Sequence, residues 1–364
     1  MVAGPSPSPR PRLTRLCGNA QRAGLSPTAS ASWIGHRCLM GYPRSMTVDP
    51  EIPRYYHCIS RCVRRAWLCG EDPVSGRNFD HRRGWVEARL LELAQSFAVS
   101  LHAWAVMSNH THVVLRVDPR LPDHWTDEEV AHRWARLSRT LEPLSEAAQA
   151  RRIRVLLTQP DRLAELRRRL GSLSWFMRFL NEAVARQANA EDDCTGRFWE
   201  GRYKCQALLD EAAVLACMAY VDLNPIRAGI ADELEDSDFT SIQRRLRALE
   251  DHGEHGVVPL EPLAGAAAEG PEMTLPAYVE LLRWTGRRFA PRAPDRDASA
   301  PPVTSAPVRA SPSWWTGCVF RIEEAFGTAV GLPAALQAFA IATGRRRLLG
   351  LSRTAHLRQA ASTS

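Results

Sequence analysis

The stretch LHAWAVMSNHTHVVLRV (101–117) constrains the fold more than any other part of the chain. Two apolar runs flank the dipeptide Ser108-Asn109, which is typical of a β-hairpin with a two-residue turn. Side chains two positions apart in a strand point to the same face of the sheet. The return strand is therefore expected to present His110 and His112 side by side, although the first of them could also belong to the turn.

Segments on both sides of this hairpin complete an α+β pattern. Aromatic and β-branched enrichment or alternation indicates strands, and apolar residues at helical intervals indicate helices. The predicted elements are a strand at 54–63, a helix at 79–100, the hairpin, a helix at 172–189, a strand at 196–208 and a helix at 209–229 that ends near Pro225. This β-α-β-β-α-β order predicts a ferredoxin-like α+β sheet with helices on one face.

Composition divides the rest of the chain into further segments. Residues 118–171 are charged and carry Arg- and Glu-rich helical runs, which indicates a helical insertion. Residues 1–45 are Arg-rich and poor in acids, and we interpret them as disordered or as a mis-called start. Residues 246–312 are linker-like with one short helix, and 313–364 predict a mostly helical, basic extension. The folded domain is thus expected at 46–245.

The charge of the chain bears on its partners. The formal net charge is +7, and Lys204 is the single lysine beside many arginines. Arginine presents a planar fork of donors that matches phosphate oxygens in pairs, so this balance favours a nucleic-acid or other phosphate partner. A high-GC coding sequence, which favours Arg over Lys, explains the shortage of lysine equally well.

Cysteine spacing and hydropathy bear on the compartment. The nine cysteines form neither a C-x-x-C pair nor a regular framework, so we expect no disulfide plan and no zinc cage, and a reducing cytoplasm is the simplest setting. The sequence contains no apolar run of about 18 residues, so no membrane span is expected.

The paired histidines suggest a metal site. Two imidazoles on one strand face can share an ion and leave positions for a third ligand, water or substrate oxygens. The H-x-H pattern alone is weak, because two unrelated histidines also produce it. Tyr220 and Asn224 strengthen it, since they lie four residues apart on a predicted helix and share a face. A tyrosine hydroxyl can act as a nucleophile, but Tyr220 could equally be a core residue, and the Asn-Pro pair a simple helix stop.

Four separated blocks carry a resemblance to a known family: RYYHCISRCVRR, AWAVMSNHTHVVL, GRFWEGRYKCQALLDE and AYVDLNPIRAG. In order and spacing they resemble the IS200-like single-tyrosine (HUH, Y1) transposases, most of all the REP-associated tyrosine transposases. The resemblance covers roughly residues 54–230. Two features depart from it: Thr111 stands where the family usually has a bulky apolar residue, and the insertion at 118–171 is long.

The resemblance implies a fold, an activity and a substrate. A ferredoxin-like sheet would carry His110 and His112 on its central strand, and these two with Asn224 would hold a divalent metal, Mg²⁺ or Mn²⁺. Tyr220 would attack the scissile phosphate and form a 5′-phosphotyrosine. The implied substrate is single-stranded DNA, often with a hairpin, and the protein would act as a monomer or a homodimer.

Basic and aromatic residues near the first and fourth predicted strands are candidate DNA contacts. Arginines neutralise phosphates, and aromatic rings stack on unpaired bases. Phe198 and Trp199 could instead divide between core and surface, so at least one of them is expected in the core. The candidates are Arg61, Arg64, Arg65, Arg197, Trp199, Arg202, Tyr203 and Lys204.

Three functions remain open at this point. The first is an active transposase or strand-transfer nuclease. The second is a domesticated DNA-binding protein that recognises palindromic repeats without mobility. The third is a metal-dependent phosphoesterase that uses water in place of tyrosine. The presence of both histidines, the tyrosine and the asparagine favours the first, because a binding module does not need them together.

Overall fold

Four antiparallel strands form the centre of the fold in the computed structural model. They are β1 (Arg54–Arg61), β2 (Val99–Val106), β3 (His110–Val117) and β4 (Lys204–Leu208). Their order in the sheet is β2-β3-β1-β4, with every neighbouring pair antiparallel. This is the strand order of a ferredoxin-like sheet, so the predicted α+β class and the predicted hairpin are confirmed.

The part of the chain that the structure describes belongs to one compact unit that begins at Pro43. It comprises residues 47–49, 51–52, 54–63, 67–72, 75–139, 141–252, 258–266, 270–287, 312–345 and 348–350.

Two helices cover one face of the sheet. Helix α1 (His81–Ser96) buries Leu90 and Leu93. Apolar residues of the sequence SLSWFMRFLNEAV likewise form the inner side of the helix at Leu173–Glu191, and the two helices pack on each other. Asn181 from the second helix donates a hydrogen bond to Ser60 of β1, which fixes the face on which this helix lies.

The predicted insertion is helical and packs beside these two helices. Helix α2 begins after Thr126, whose hydroxyl accepts from the backbone N–H of Glu129, and the next helix has the same kind of cap at Ser145. Such caps satisfy backbone donors that the first helical turn leaves free. Its helices are a short 3₁₀ turn (Leu121–His124), α2 (Asp127–Ala135), α3 (Glu146–Leu157) and α4 (Pro160–Leu170), so the helix at Leu173–Glu191 is α5.

A third sheet-covering helix, α6 (Glu211–Asp222), lies on the opposite face. Asp210 caps its start by accepting from the backbone N–H of Ala213. Its small and apolar residues from Ala212 to Val221 are all buried, because the helix packs against β2 and β3 on one side and other helices on the other. The helix predicted at 209–229 is thus divided, and a short helix α7 (Asn224–Arg227) follows it. Helices therefore cover both faces of the sheet, so the prediction of helices on one face is wrong, because α6 packs on β2 and β3 from the other side.

The later residues extend the sheet at both edges. Strand β5 (Ala264–Gly265) pairs with β2, and β6 (Ala329–Val330) pairs in parallel with β4. The helices of this region are α8 (Ser241–His252), α9 (Leu275–Arg287), α10 (Pro312–Ala325) and α11 (Pro333–Ala342). The one short helix predicted within 246–312 corresponds to α9, and the predicted helical extension is interrupted by β6.

Two predicted boundaries are wrong. The strand predicted at 196–208 begins only at Lys204, because residues 196–203 form a loop in which Trp199 makes an isolated bridge with Cys62, just after β1. The alternation of Phe198 and Trp199 arises in that loop. The helix predicted to reach residue 100 ends at Ser96, since Phe97 is already extended.

No helix among the described residues combines the length and the apolar character needed to cross a bilayer.

Candidate functional site

Among the described residues, three histidines and not two cluster beside one another on the sheet face that α6 covers. His112 is opposite Ile59 of β1, and His57 is two residues from Ile59, so both rings project from the same face. The ring centroids of His110 and His112 are 4.7 Å apart, and those of His57 and His112 are 5.2 Å apart. The predicted pair is therefore brought together, and a third imidazole stands beside it.

A chain of hydrogen bonds fixes the tautomer of His112. The amide nitrogen of Gln206 donates to the carbonyls of Gly327 and Phe326 at 2.9 and 3.2 Å, so its oxygen faces Nδ1 of His57 at 3.0 Å. A neutral His57 then donates from Nδ1 and accepts at Nε2. His112 Nδ1, 3.0 Å from that Nε2, is the donor, and His112 Nε2 keeps a lone pair. We call Gln206, His57 and His112 the imidazole chain.

Electrostatics keep these rings neutral. Burial lowers the pKa of His57, against raising effects of Glu323 and Gln206. Burial and the neighbouring His110 and His57 hold the pKa of His112 well below its ordinary value. Neutral imidazole is the form that binds metals, so the imidazole chain holds His112 in a ligand-competent state.

His110 adopts the same tautomer as His112. Its Nδ1 lies 2.6 Å from the side-chain oxygen of Asn109, to which it donates, and its Nε2 is therefore the acceptor nitrogen. Burial, followed by the charge of Arg61, lowers the pKa of His110 to about 4. Both predicted ligands thus carry a lone pair on Nε2 at neutral pH.

Tyr220 lies against these rings. Its centroid is 5.5 Å from that of His112 and 5.9 Å from that of His57. The hydroxyl donates to Oε1 of Glu323 at 2.7 Å, and the whole residue is 5% exposed. Burial, followed by the nearby Glu323 carboxylate, raises the pKa of Tyr220 above its ordinary value. The phenol is therefore protonated and held in place in this state of the site.

Glu323 comes from α10, far along the chain from the residues predicted for the site. Its Oε1 lies 4.0 Å from His112 Nε2 as well as 2.7 Å from the Tyr220 hydroxyl. Burial alone would raise the pKa of Glu323, but the hydrogen bond from Tyr220 and the nearby His57, His110 and Lys204 hold it below its ordinary value. A carboxylate thus faces both the phenol and the histidine pair.

Asn224 is buried one turn beyond Tyr220, at the start of α7. Its side-chain nitrogen has no hydrogen-bond partner in the described part of the chain. Arg227, on the same short helix, places its guanidinium 4.3 Å from the centroid of the Tyr220 ring. The helix position predicted for a third ligand is therefore in the interior beside the tyrosine.

A buried carboxylate anchors the end of α6. Asp222 accepts hydrogen bonds from Ser241 of α8 and, at 2.7 Å, from Tyr278 of α9. Burial raises its pKa to about 6, with lowering effects from Ser241 and Arg245. Two hydrogen bonds, one of them from Tyr278 outside the predicted domain of 46–245, thus hold the end of the helix that carries Tyr220.

The residues present fit a divalent metal. His112 Nε2 is buried and has no hydrogen-bond partner among the described residues, which is expected of a nitrogen whose lone pair awaits a ligand. The described part of the chain contains no group of three His, Cys, Asp or Glu side chains arranged to hold a metal. An ion would therefore need the Asn224 amide or substrate oxygens besides the two imidazoles.

The candidate DNA contacts occupy different environments. Arg197, Arg202 and Lys204 are exposed, whereas Arg61 and Trp199 are half-buried and Tyr203 is 8% exposed. Arg64 and Arg65 lie outside the described residues. Phe198 is in the core, as expected for at least one of the aromatic pair.

Trp199 and Arg202 line a groove of about 500 Å³ beside α5. The indole N–H of Trp199 donates to the backbone oxygen of Asn181 at 2.8 Å, which fixes the ring. Trp175 and Arg178 of α5 also line the groove. Basic and aromatic side chains therefore share one depression at the surface.

Sequence reasoning missed His57, Gln206 and Glu323. His57 stands in the block RYYHC, and pairing β1 with β3 would have placed it beside His112. No local pattern marks Gln206 or Glu323, because their roles depend on contacts distant in the chain.

No family model matches the chain, and no curated protein matches it. A solved structure of a REP-associated tyrosine transposase bound to a REP hairpin is similar to 60% of this chain and 90% of its own, with 12% identity and a TM-score of 0.30. The likeness is a distant structural one.

Proposed function

We propose that this protein is a single-tyrosine DNA transposase, a strand-transfer nuclease that cleaves single-stranded DNA through a 5′-phosphotyrosine. One observation carries the proposal: the Tyr220 ring packs 5.5 Å from the His112 ring, on the face where two imidazoles keep Nε2 lone pairs. A nucleophile beside metal-ligating nitrogens is what phosphoryl transfer needs. A core tyrosine would require neither the histidines nor their tautomers.

Mg²⁺ or Mn²⁺ would be held by His110, His112 and Asn224. When bound, such an ion would withdraw charge from a phosphate oxygen and stabilise the developing negative charge. The imidazole chain supports this assignment, because ligating histidines generally donate their other N–H to a neighbouring acceptor.

The chain's own residues would carry out the displacement. Tyr220 Oη forms a bond to phosphorus, and the bond from phosphorus to the 3′-oxygen breaks. A free 3′-hydroxyl can then reverse the step on another strand, which transfers DNA without an external energy source. Packing against two histidine rings restricts the phenol, and a positioned nucleophile saves much of the entropy of encounter.

Single-stranded DNA with a hairpin is the proposed substrate. Exposed Arg197, Arg202 and Lys204 would contact phosphates, with Arg61 at the end of β1 beside His110. Trp199 supplies an aromatic ring in the groove for an unpaired base. The solved structure that resembles this chain is of a protein bound to a REP hairpin, which is consistent with the same class of ligand.

A covalent adduct tests the proposal. Hairpin oligonucleotides with a single-stranded flank are incubated with the protein and Mn²⁺, then resolved on a denaturing gel, with fluorophores at the 5′ end in one set and the 3′ end in the other. A 5′-phosphotyrosine retains the 3′ label on the protein and releases the 5′ label. Tyr220→Phe should abolish the adduct while hairpin binding persists.

Tyr56→Phe is the matched control. Tyr56 is also buried, but it precedes His57 in β1 and therefore points to the opposite face of the sheet. An adduct that survives Tyr220→Phe would assign the nucleophile elsewhere. Cleavage without any adduct, equal in wild type and Tyr220→Phe, would indicate a phosphoesterase that uses water.

The burial of Tyr220 favours a second candidate, a DNA-binding protein without mobility. The hydroxyl is engaged by Glu323 and the residue is 5% exposed, so a phosphate reaches it only if the site opens. Tight hairpin binding with neither adduct nor cleavage across Mg²⁺ and Mn²⁺ would select this candidate.

A further inference from the structure

We propose that Glu323 is a catalytic residue of this site, which holds the Tyr220 hydroxyl and accepts its proton as the bond to phosphorus forms. The inference rests on the proposed function and goes beyond it, because it assigns part of the reacting centre to the C-terminal segment (residues 312–330). That segment lies outside the region of sequence resemblance, which ends near residue 230.

The contact is direct. The Tyr220 hydroxyl donates to Glu323 Oε1 at 2.7 Å. The oxygen that would attack phosphorus is therefore hydrogen-bonded to a carboxylate oxygen. The other polar atoms nearby are committed: His57 uses both nitrogens, and His112 uses Nδ1 as a donor. The Nε2 atoms of His112 and His110 are the proposed metal ligands. Glu323 is therefore the acceptor placed to receive the phenolic proton.

The C-terminal segment holds this carboxylate in place. Helix α10 packs along α6 and is kinked at Arg321, whose backbone angles are not helical. The final turn that carries Glu323 therefore has its own direction. Ile322 and Phe326 on either side of it are 0% and 2% exposed, so the turn is anchored in the core.

The same segment also supports the histidines. The carbonyls of Phe326 and Gly327 accept from Gln206 and so set the start of the imidazole chain. Strand β6 then joins the edge of β4. One segment thus contacts the nucleophile through a side chain and, through two backbone carbonyls, the Gln206 amide from which the imidazole chain to His112 begins, which is more than a passenger region would do.

The proton balance is complete. The phenolic proton passes to the Glu323 carboxylate as the Oη–P bond forms and the P–O3′ bond breaks. The leaving 3′-oxygen takes a proton from water and becomes a hydroxyl, and Glu323 returns its proton to solvent. In the reverse step a 3′-hydroxyl attacks the phosphotyrosine and gives its proton to water, while the departing phenolate takes a proton from Glu323, which has first regained one from solvent.

The test is single-turnover formation of the labelled adduct by the full chain with hairpin oligonucleotide and Mn²⁺. Glu323→Gln keeps the shape and a hydrogen-bond acceptor but cannot take a proton, and we expect adduct formation to slow by at least about 100-fold. Glu323→Asp should recover part of the rate. Glu324→Gln, an exposed neighbour on the same turn, should react within about 3-fold of wild type. Hairpin affinity should be unchanged in all three.

A signal that does not need activity accompanies the kinetics. With ¹³Cζ-labelled tyrosine, the resonance absent from Tyr220→Phe belongs to Tyr220. Replacing the ionised acceptor in Glu323→Gln should shift it, and Glu324→Gln should not. An unmoved resonance in Glu323→Gln would overturn the contact itself.

The remaining outcomes are also decisive. A Glu323→Gln rate within about 3-fold of wild type would overturn the catalytic role and leave the proposed function standing. A faster rate would show that the carboxylate restrains the tyrosine, which also overturns it. If the wild type forms no adduct while the tyrosine resonance still responds to Glu323→Gln, the proposed function fails and the catalytic role of Glu323 fails with it.

Discussion

Nε2 of His57 lies 3.0 Å from Nδ1 of His112, and this contact determines which nitrogen of His112 is available for a ligand. Gln206 of β4 accepts from the other nitrogen of His57. Gln206 therefore sets the direction of both hydrogen bonds, the one to His57 and the one between His57 and His112. The chain ends at Nε2 of His112, which has no hydrogen-bond partner in the part of the protein that the structure describes. The histidine side chains are thus oriented by contacts within the protein itself.

His57→Phe should weaken metal binding although His57 is not itself a proposed ligand. The substitution keeps a ring of similar size but removes the acceptor for His112 Nδ1. Loss of such a supporting partner typically costs about 10- to 100-fold in metal affinity or activity. Titration of the protein with Mn²⁺ alone, followed by the EPR signal of free Mn²⁺, measures the affinity. His132→Phe, at an exposed histidine of α2, is the control, and equal losses in both variants would contradict a specific role.

His112→Ala should abolish DNA cleavage and leave hairpin binding within a few-fold of wild type. The side chain would supply a metal ligand, whereas phosphate contacts from arginines supply the affinity. Chelation of divalent metal should have the same effect on the wild type. Adduct yield and hairpin affinity are measured in parallel. A loss of binding as large as the loss of cleavage would mark the histidines as structural.

His102→Phe should reduce the sensitivity of folding to acid. Burial, then the charges of Arg245 and Arg116, lowers the pKa of His102 to about 3, whereas the unfolded chain takes up this proton near 6.5. Between those values the unfolded state binds more protons, so acid lowers the free energy of unfolding by up to about 1.4 kcal/mol per pH unit.

Urea unfolding of wild type and variant from pH 7 to pH 4 measures this contribution. Asp222, whose raised pKa of about 6 acts with the opposite sign, titrates in both proteins and cancels in the difference. Parallel pH curves would mean that His102 does not titrate differently on folding.

Replacing Arg197 and Arg202 together with Ala should weaken hairpin binding and flatten its salt dependence. Each phosphate contact on a single strand contributes about 0.7 to the slope of log affinity against log salt, so the double variant should lose about 1.4. Arg136 and Arg168 are exposed arginines of the insertion, and their double Ala variant removes the same net charge. If both variants behave alike, the effect is one of overall charge and not of the loop before β4.

The local parts of the fold and site could be predicted from the sequence. The hairpin follows from alternation around Ser108-Asn109, and the proximity of His110 to His112 follows from strand geometry. The position of Asn224 one turn after Tyr220 follows from helical spacing, even though the helix is divided between them. These relationships span only a few residues, where backbone geometry decides which side chains meet.

The rest depends on pairings that no short window contains. His57 meets His112 because β1 and β3 adopt one register out of several. Glu323 reaches Tyr220 across 103 residues, on a helix that is kinked at Arg321, a residue type that does not predict a kink. The false start of β4 has a related cause, since Trp199 lies against α5, where its indole N–H donates to Asn181, and is not part of a strand.

The pairing of β6 with β4 has a practical consequence for shortened versions of the protein. Backbone N–H groups of Ala207 and Leu209 donate to the carbonyls of Thr328 and Val330. A chain cut before residue 312 would therefore leave backbone donors and acceptors at the edge of β4 without these partners. Such an edge recruits strands from other molecules. Truncation before residue 312 would therefore be expected to yield a self-associating protein whose histidines are held less rigidly, and inactivity of that fragment would say little about the intact protein.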